Sequence, residues 1–217
     1  MTPQDVSRLA SMGEGTFLEF KRKVPRPQRI AKEIIAFANT RGGQVLLGVD
    51  DDGSVVGLRD AGEEEFALKR AMTDFCDPPV SIDIDRVEIA HRRDVVVVRV
   101  PESRNKPHYL VHDEEDDRRV AYIRIDDKSV EASQEAIALM AVPNTEPVSF
   151  EFGENEYLLM RYLDQYGRIT VSEFSALANI SETIASETLI VLTRASVLDL
   201  HAGHRSDYFT LSLERSS

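Results

Sequence analysis

The stretches GEGTFLEFK (residues 13–21), IIAFANTRGG (34–43) and LLGVDDDG (46–53) decide how the first half of this chain is read. From Phe17 to Lys21 the residues alternate as in a half-buried strand: Phe17, Glu19 and Lys21 on one face, Leu18 and Phe20 on the other. Residues 28–40 set Ile30, Ile34, Ile35, Phe37 and Ala38 on one helical face, and Arg41-Gly42-Gly43 stops the helix as glycine commonly does. Residues 44–49 (QVLLGV) read as a buried strand with Leu46, Gly48 and Asp50 on one face and Val45, Leu47 and Val49 on the other. Asp51-Asp52-Gly53 is a turn signal, and Val55-Val56 is expected to begin the return strand of a hairpin.

Outward from this core, residues 3–11 read as a short helix and 63–76 as a long one, closed by Asp77-Pro78-Pro79. Residues 82–89 and 95–100 form an expected antiparallel pair. Strands follow at 108–111 and 121–125, separated by the acidic run DEEDDRR (113–119), read as a solvated loop, and a helix closes the domain at 133–141. PNTEP (143–147) is the linker signal. Beyond it, helices at 154–166, 171–177 and 182–194 precede a hairpin of 197–200 with 208–213, which is the element order of a winged helix. The expectation is an α/β (α+β) domain with a mixed sheet and flanking helices over residues 1–142, a linker at 143–150, and a small winged-helix-like domain at 151–217.

The charge balance constrains function. The chain carries 26 Lys and Arg against 38 Asp and Glu, a net charge of -12. After residue 150 there is no Lys at all. Phosphate neutralisation supplies most of the affinity of a nucleic-acid backbone binder, so any such surface here must be a local basic patch. The single cysteine, Cys76, allows neither an internal disulfide nor a cysteine-based zinc cluster. No apolar run approaches the length of a membrane span, and the N-terminus has no secretory pattern, so the expected location is cytoplasmic with no membrane partner.

Chemistry is concentrated near the N-terminus. Glu14, Glu19 and Asp50 lie on or beside two strands expected to be neighbours, with Lys21 next to them. Three converging carboxylates would make a hard-cation site for Mg²⁺ or Mn²⁺, and Lys21 would meet a phosphate. Against this stands a plainer reading, in which Glu19 and Lys21 form a salt-bridged strand face and Asp50 caps its turn. Lys21, Arg22, Lys23, Arg26, Arg29 and Lys32 form the largest cationic cluster, and Arg104 and Lys106 add a second one beside Tyr109. These are the candidate nucleic-acid contacts, with Tyr109 or Tyr122 as a base-stacking candidate.

The ordered set GEGTFLEFK, IIAFANTRGG, LLGVDDDG and VGL (56–58), with KPH (106–108) and AYIR (121–124) as looser signatures, resembles the Schlafen AlbA-type domain, also labelled divergent AAA-4. The resemblance covers roughly residues 8–140. It implies an α/β fold and association with nucleic acid. In Schlafen ribonucleases a three-carboxylate centre cleaves structured RNA with a divalent metal, and by motif position Glu14, Glu19 and Asp50 match that centre, with Lys21 beside it. The family's ATP-binding label finds no support: residues 39–43 lack the GxxxxGK[ST] order and end a helix instead of opening one.

Three functions follow as expectations. The first is a nucleic-acid-binding protein, RNA or DNA, with a regulatory role. The second is a metal-dependent endoribonuclease using Glu14, Glu19 and Asp50. The third is a dimeric interaction scaffold. A homodimer is expected, supplying the second lobe found in two-lobed relatives. The helix at 181–194, in the place of a recognition helix, carries Glu182 and Glu187 and a single base, Arg194, at its far end. That pattern suits dimerisation or protein docking better than groove reading.

Overall fold

A computed structural model describes residues 1–111, 118–142 and 152–212. The acidic run at 113–117 and the linker at 143–150 therefore lie outside the described residues. The chain divides into two compact units, Met1–Glu131 and Ala132–Ser217.

The first unit is built on a βαβ core. Strand β1 (Leu18–Lys21) leads into helix α2 (Pro27–Asn39) and then β2 (Gly43–Leu47), which lies parallel to β1 with Glu19 opposite Val45 and Lys21 opposite Leu47. Helix α1 (Pro3–Met12) precedes them, started by a capping box between Thr2 and Asp5. After β2 come helix α3 (Ala61–Phe75), capped by Asp60, the two-residue β3 (Cys76–Asp77), and the antiparallel pair β4 (Asp83–Ala90) and β5 (Arg93–Val100). The first sheet has the order β1-β2-β5-β4 and is mixed, because β5 runs antiparallel to β2. A second sheet, β3-β6-β7-β8, contains β6 (Tyr109–Val111), β7 (Arg119–Ile125) and β8 (Lys128–Glu131). The sequence pattern missed β8, a short polar strand whose KSVE carries little periodicity.

Two cores sandwich the first sheet. On one face α2 and α3 pack Ile30, Ile34, Phe37, Leu68 and Met72 over Val45, Leu47, Val96 and Val98. On the other, Val6 and Ala10 of α1 cover Leu18, Phe20, Leu46, Val95 and Val97. This explains the nearly continuous apolar run of β5: both faces of that strand are buried. Cys76 belongs to the first core, and burial pushes its thiol up to about 12, so at neutral pH it is a packed, protonated group.

The expected alternation past residue 47 does not survive. Val45 and Leu47 pack in one core, but Val49 joins Leu46 in the other. Gly48 has φ +99°, which reverses the parity of the strand, and a Cβ there would sit 3.1 Å from the Cα of Gly57. For the same reason the expected hairpin reduces to a single bridge between Val49 and Val55, and Leu58 is bridged instead to Asp94 of β5.

In the second unit, helix α4 (Gln134–Ala141) is followed by α5 (Glu154–Tyr166), α6 (Val171–Ala178), α7 (Glu182–Arg194) and the antiparallel hairpin of β9 (Leu198–His201) and β10 (Tyr208–Leu211). Leu159, Leu163, Phe174, Leu189, Leu192 and Phe209 form its core. The helix read as closing the first domain packs on α7, where Ser186 Oγ donates to Glu135.

The turn from α2 to β2 tests the packing. Gly42 has φ +74°, and a Cβ would lie 2.6 Å from the Val100 carbonyl oxygen and 2.9 Å from Glu102 N. Gly42→Ala is expected to cost about 2 kcal/mol or more, through strain and backbone overlap. Urea unfolding measures it; an unchanged midpoint would contradict this account of the turn.

Candidate nucleic-acid interface and carboxylate cluster

The first sheet presents β1 as its outer strand. An exposed strand edge offers unpaired backbone groups that must be blunted. Here the segment before the strand does so. Gly15 N–H donates to Leu18 O (2.9 Å), Leu18 N–H donates to Gly15 O (3.3 Å), and Phe20 N–H donates to Glu14 Oε1 (2.8 Å). Phe20 O accepts from Lys21 Nζ at 2.8 Å. Glu14 is thus held at the sheet edge as a surrogate strand acceptor.

Glu19 points toward the α2 side of the sheet and is buried. Its Oε1 accepts from Lys21 Nζ, and its Oε2 accepts from Arg124 Nη2 at 2.6 Å. Arg124, on β7, is itself buried. Its Nη2 also donates to Gly15 O (3.0 Å), and its Nη1 donates to Glu33 Oε2 (3.1 Å) and Ser129 Oγ (3.3 Å). The guanidinium carbon lies 4.7 Å from the centre of the Phe37 ring. Its Nε has no hydrogen-bond partner among the described residues. One cation therefore ties together β1, the Glu14 segment, α2 and β8.

Lys21 Nζ stands 3.9 Å from Glu14 Oε1. The carboxyl of Glu14 is raised above its ordinary range, chiefly by burial, with the Phe20 N–H opposing and the nearby Glu19 charge adding to the rise. Asp50 is elsewhere. Beyond the parity change at Gly48 its backbone closes the turn with Ser54 and Gly53, and its carboxylate lies 3.5 Å from Arg22 Nη1.

The expected convergence of Glu14, Glu19 and Asp50 is therefore not what the geometry provides. Among the described residues no group of three or more His, Cys, Asp or Glu is placed to hold a metal ion. Glu19 has each oxygen committed to a cation, and Asp50 faces Arg22. This donor set does not fit Mg²⁺ or Mn²⁺, which bind through carboxylate oxygens left available to the metal.

The basic candidates divide as sharply. Lys21 is consumed by Glu19 and Phe20, Arg22 faces Asp50, and Lys106 pairs with Glu102 while donating to Thr40 O at 3.3 Å. Lys32 lies over the Tyr122 ring, 5.0 Å from its centre, and Tyr122 is packed against the first core. Tyr109 is covered by Arg119, 4.9 Å from its ring centre. Lys23, Arg26, Arg29 and Arg104 are exposed and form no ion pair among the described residues.

Three of these four surround the start of α2. Of the seven described helices, α2 alone has no acidic residue in its first turn, and Arg26 at its N-cap makes no side-chain cap hydrogen bond. In a protein with net charge -12, these cations flank the positive end of this helix dipole, and Glu64 of α3 also reaches the segment, its Oε2 accepting from Val24 N at 2.6 Å. It lies where β1 ends, at the carboxyl end of the parallel pair.

Other motif residues build the fold. Asn39 Oδ1 accepts from His108 N (2.8 Å), and its Nδ2 donates to His108 O (2.9 Å) and Tyr122 O (3.0 Å). Thr40 Oγ1 accepts from Arg124 N at 2.8 Å. His108 is buried, with Nδ1 2.7 Å from Pro78 O and Nε2 2.7 Å from Ser103 Oγ. The model of the family described as Schlafen, AlbA_2 matches residues 14–133, more than half of the chain.

The chain belongs to the Schlafen AlbA_2 family. The match ends two residues beyond the first unit, and it takes in β1, the Asn39-Thr40 clasp and Arg124 together. Eleven solved chains match, among them the DIP2311 protein from Corynebacterium diphtheriae and the N-terminal domain of a RecG-related protein from Nitrosomonas europaea. The first is 16% identical with a TM-score of 0.43, covering 62% of this chain and 30% of its own, so this chain spans under a third of that protein. The second is 23% identical with a TM-score of 0.42, covering 58% of this chain and 89% of its own. No curated protein matches.

From the sequence, Arg124 enters only as the end of the AYIR signature, with no site role, and Glu33 is not singled out. The available signal was an arginine inside the apolar strand AYIRI and a glutamate in α2 directly before the apolar run IIAFA (34–38).

Two predictions follow from this geometry. Arg124→Met takes from the buried Glu19 one of its two cations and from the half-buried Glu33 its cation, and should cost about 3–5 kcal/mol in urea unfolding, with Arg124→Lys recovering part of it; a loss no larger than that of an exposed arginine would refute the assignment. For Glu14, an acid with a raised folded pKa favours the fold most when protonated. Its contribution relative to Glu14→Gln is fully present below its ordinary value of 4.5 and is lost as pH rises through the raised folded value. Thermal melts of both proteins across acid to neutral pH should show the wild type losing ground steadily; parallel curves would dismiss the raised pKa.

Proposed function

We propose that the chain binds nucleic acid through its phosphodiester backbone, using the exposed cations at the start of α2. The observation that carries this reading is the grouping of Lys23, Arg26 and Arg29: they form no ion pair among the described residues and flank the one described helix whose own first turn holds no acid, with Glu64 of α3 engaged by the Val24 N–H beside them. Held cations of this kind release condensed counterions when they meet phosphates, and that release is the driving term. Arg22 joins them if Asp50 gives it up, and Arg104 supplies a separate contact. Family membership supports a nucleic-acid-related role in general terms.

The endoribonuclease reading would need Glu19 to leave Arg124 and Asp50 to leave Arg22, so we infer binding without metal-dependent cleavage. The second unit has the helices and hairpin of a winged-helix-like module. Glu182 and Glu187 are exposed on α7, which argues against its insertion into a DNA groove.

Fluorescence anisotropy with labelled structured RNA, single-stranded RNA and duplex DNA tests the proposal. Lys23→Glu/Arg26→Glu should weaken binding by about tenfold or more and flatten the salt dependence by roughly two phosphate contacts. Affinity indifferent to both salt and these charges would overturn it. The same RNAs incubated with Mn²⁺, Mg²⁺ or chelator provide the second arm: metal-dependent cleavage abolished by Glu14→Ala and Asp50→Ala would replace binding with catalysis.

A further inference from the structure

The second unit presents a surface that the nucleic-acid reading does not use. Between α5 and α7 lies an open groove of about 170 Å³, lined by Glu156 of α5 and by Glu187, Thr188, Val191 and Leu192 of α7. That volume is below the range of small-molecule pockets, and the groove is open where such pockets enclose their ligand. Ile184 continues the same side of α7, because residues 184, 187, 188 and 191 follow the i, i+3, i+4, i+7 spacing of one helical face. Ile184 is 48% exposed, and Tyr157, next to Glu156 on α5, is 61% exposed. Neither belongs to the unit's core, which α7 serves with Ala185, Leu189 and Leu192. A third side of α7 is taken by α4 through Ser186 and Glu135.

The charges on this groove have one sign. Glu156 and Glu187 line it, and neither forms an ion pair among the described residues. Glu156 Oε2 accepts from Gly153 N at 2.9 Å, which fixes that carboxylate at the start of α5. The second unit as a whole offers little compensation, with no Lys after residue 150. An apolar stripe flanked by unpaired carboxylates is complementary to a helix with leucine-like anchors on one face and lysines or arginines beside them.

We propose that the α5–α7 groove of the second unit docks a basic amphipathic helix of a partner protein. The stripe Ile184, Thr188 and Val191 receives the partner's apolar face, and Glu156 and Glu187 meet its cations. The inference is independent of nucleic-acid binding by the first unit, because it concerns different residues and a different ligand.

The test uses the full chain and two fluorescein-labelled synthetic peptides, each four helical turns long with leucines at i, i+3, i+4 and i+7. One carries lysines at the remaining positions, the other glutamates. The lysine peptide should bind, with the glutamate peptide weaker by about tenfold or more. Glu156→Lys/Glu187→Lys should weaken the lysine peptide by about tenfold, and so should Val191→Asp. Asp83→Lys/Glu88→Lys, which makes the same change in net charge at exposed positions of β4, should leave binding unchanged. Circular dichroism verifies that each variant is folded. The proposal is overturned if the lysine peptide does not bind, if both peptides bind equally, or if the β4 control loses as much affinity. It is also overturned if light scattering shows a dimer that Val191→Asp dissolves, since the groove would then be occupied by a second copy of the chain.

Discussion

Arg124 sits at the point where the elements of the first unit meet, and its burial dictates what the surrounding acids can do. A guanidinium removed from water must be surrounded by acceptors, and it finds them in Glu19 of β1, Glu33 of α2, Gly15 O and Ser129. Each comes from a different stretch of chain. The fork geometry of arginine allows this distribution; a lysine at the same place would meet fewer of them. Once Glu19 is bound to Arg124 and Lys21, it is no longer an available ligand, and the cluster keeps one carboxylate in excess. That carboxylate is Glu14, which burial and the nearby Glu19 charge hold above its ordinary pKa.

The same accounting separates working cations from structural ones. Basic residues that are close in sequence have different fates: Lys21 closes a sheet edge, Arg22 meets Asp50, and Lys32 lies on Tyr122. Lys23, Arg26 and Arg29 keep their charges exposed at the helix start. A net charge of -12 and a local affinity for phosphate are compatible, because at physiological salt the field of distant acids is screened within about 8 Å. The two units carry opposite local offers: exposed cations at the start of α2 in the first, an acid-lined apolar groove in the second.

Local pattern determined much of this. The alternation in FLEFK, the helical stripe from Ile30 to Ala38, the glycine stop at 42–43 and the three helices and hairpin after the linker are all visible in the sequence, because each depends on neighbours within a turn or a strand. The ordered motifs also sufficed to place the chain in its family, which the match over residues 14–133 established. Tertiary structure decided which of the motif's charged residues remain available. Gly48 reverses the strand's parity through a positive φ that its neighbours do not announce, and so sends Asp50 to Arg22. Arg124 reaches Glu19 from 105 residues away. A carboxylate in a sequence carries no mark of whether a distant arginine will neutralise it; the spacing of Glu14, Glu19 and Asp50 suggested a metal cage, and only the packing of β7 onto α2 showed that one of the three is an ion-pair anchor.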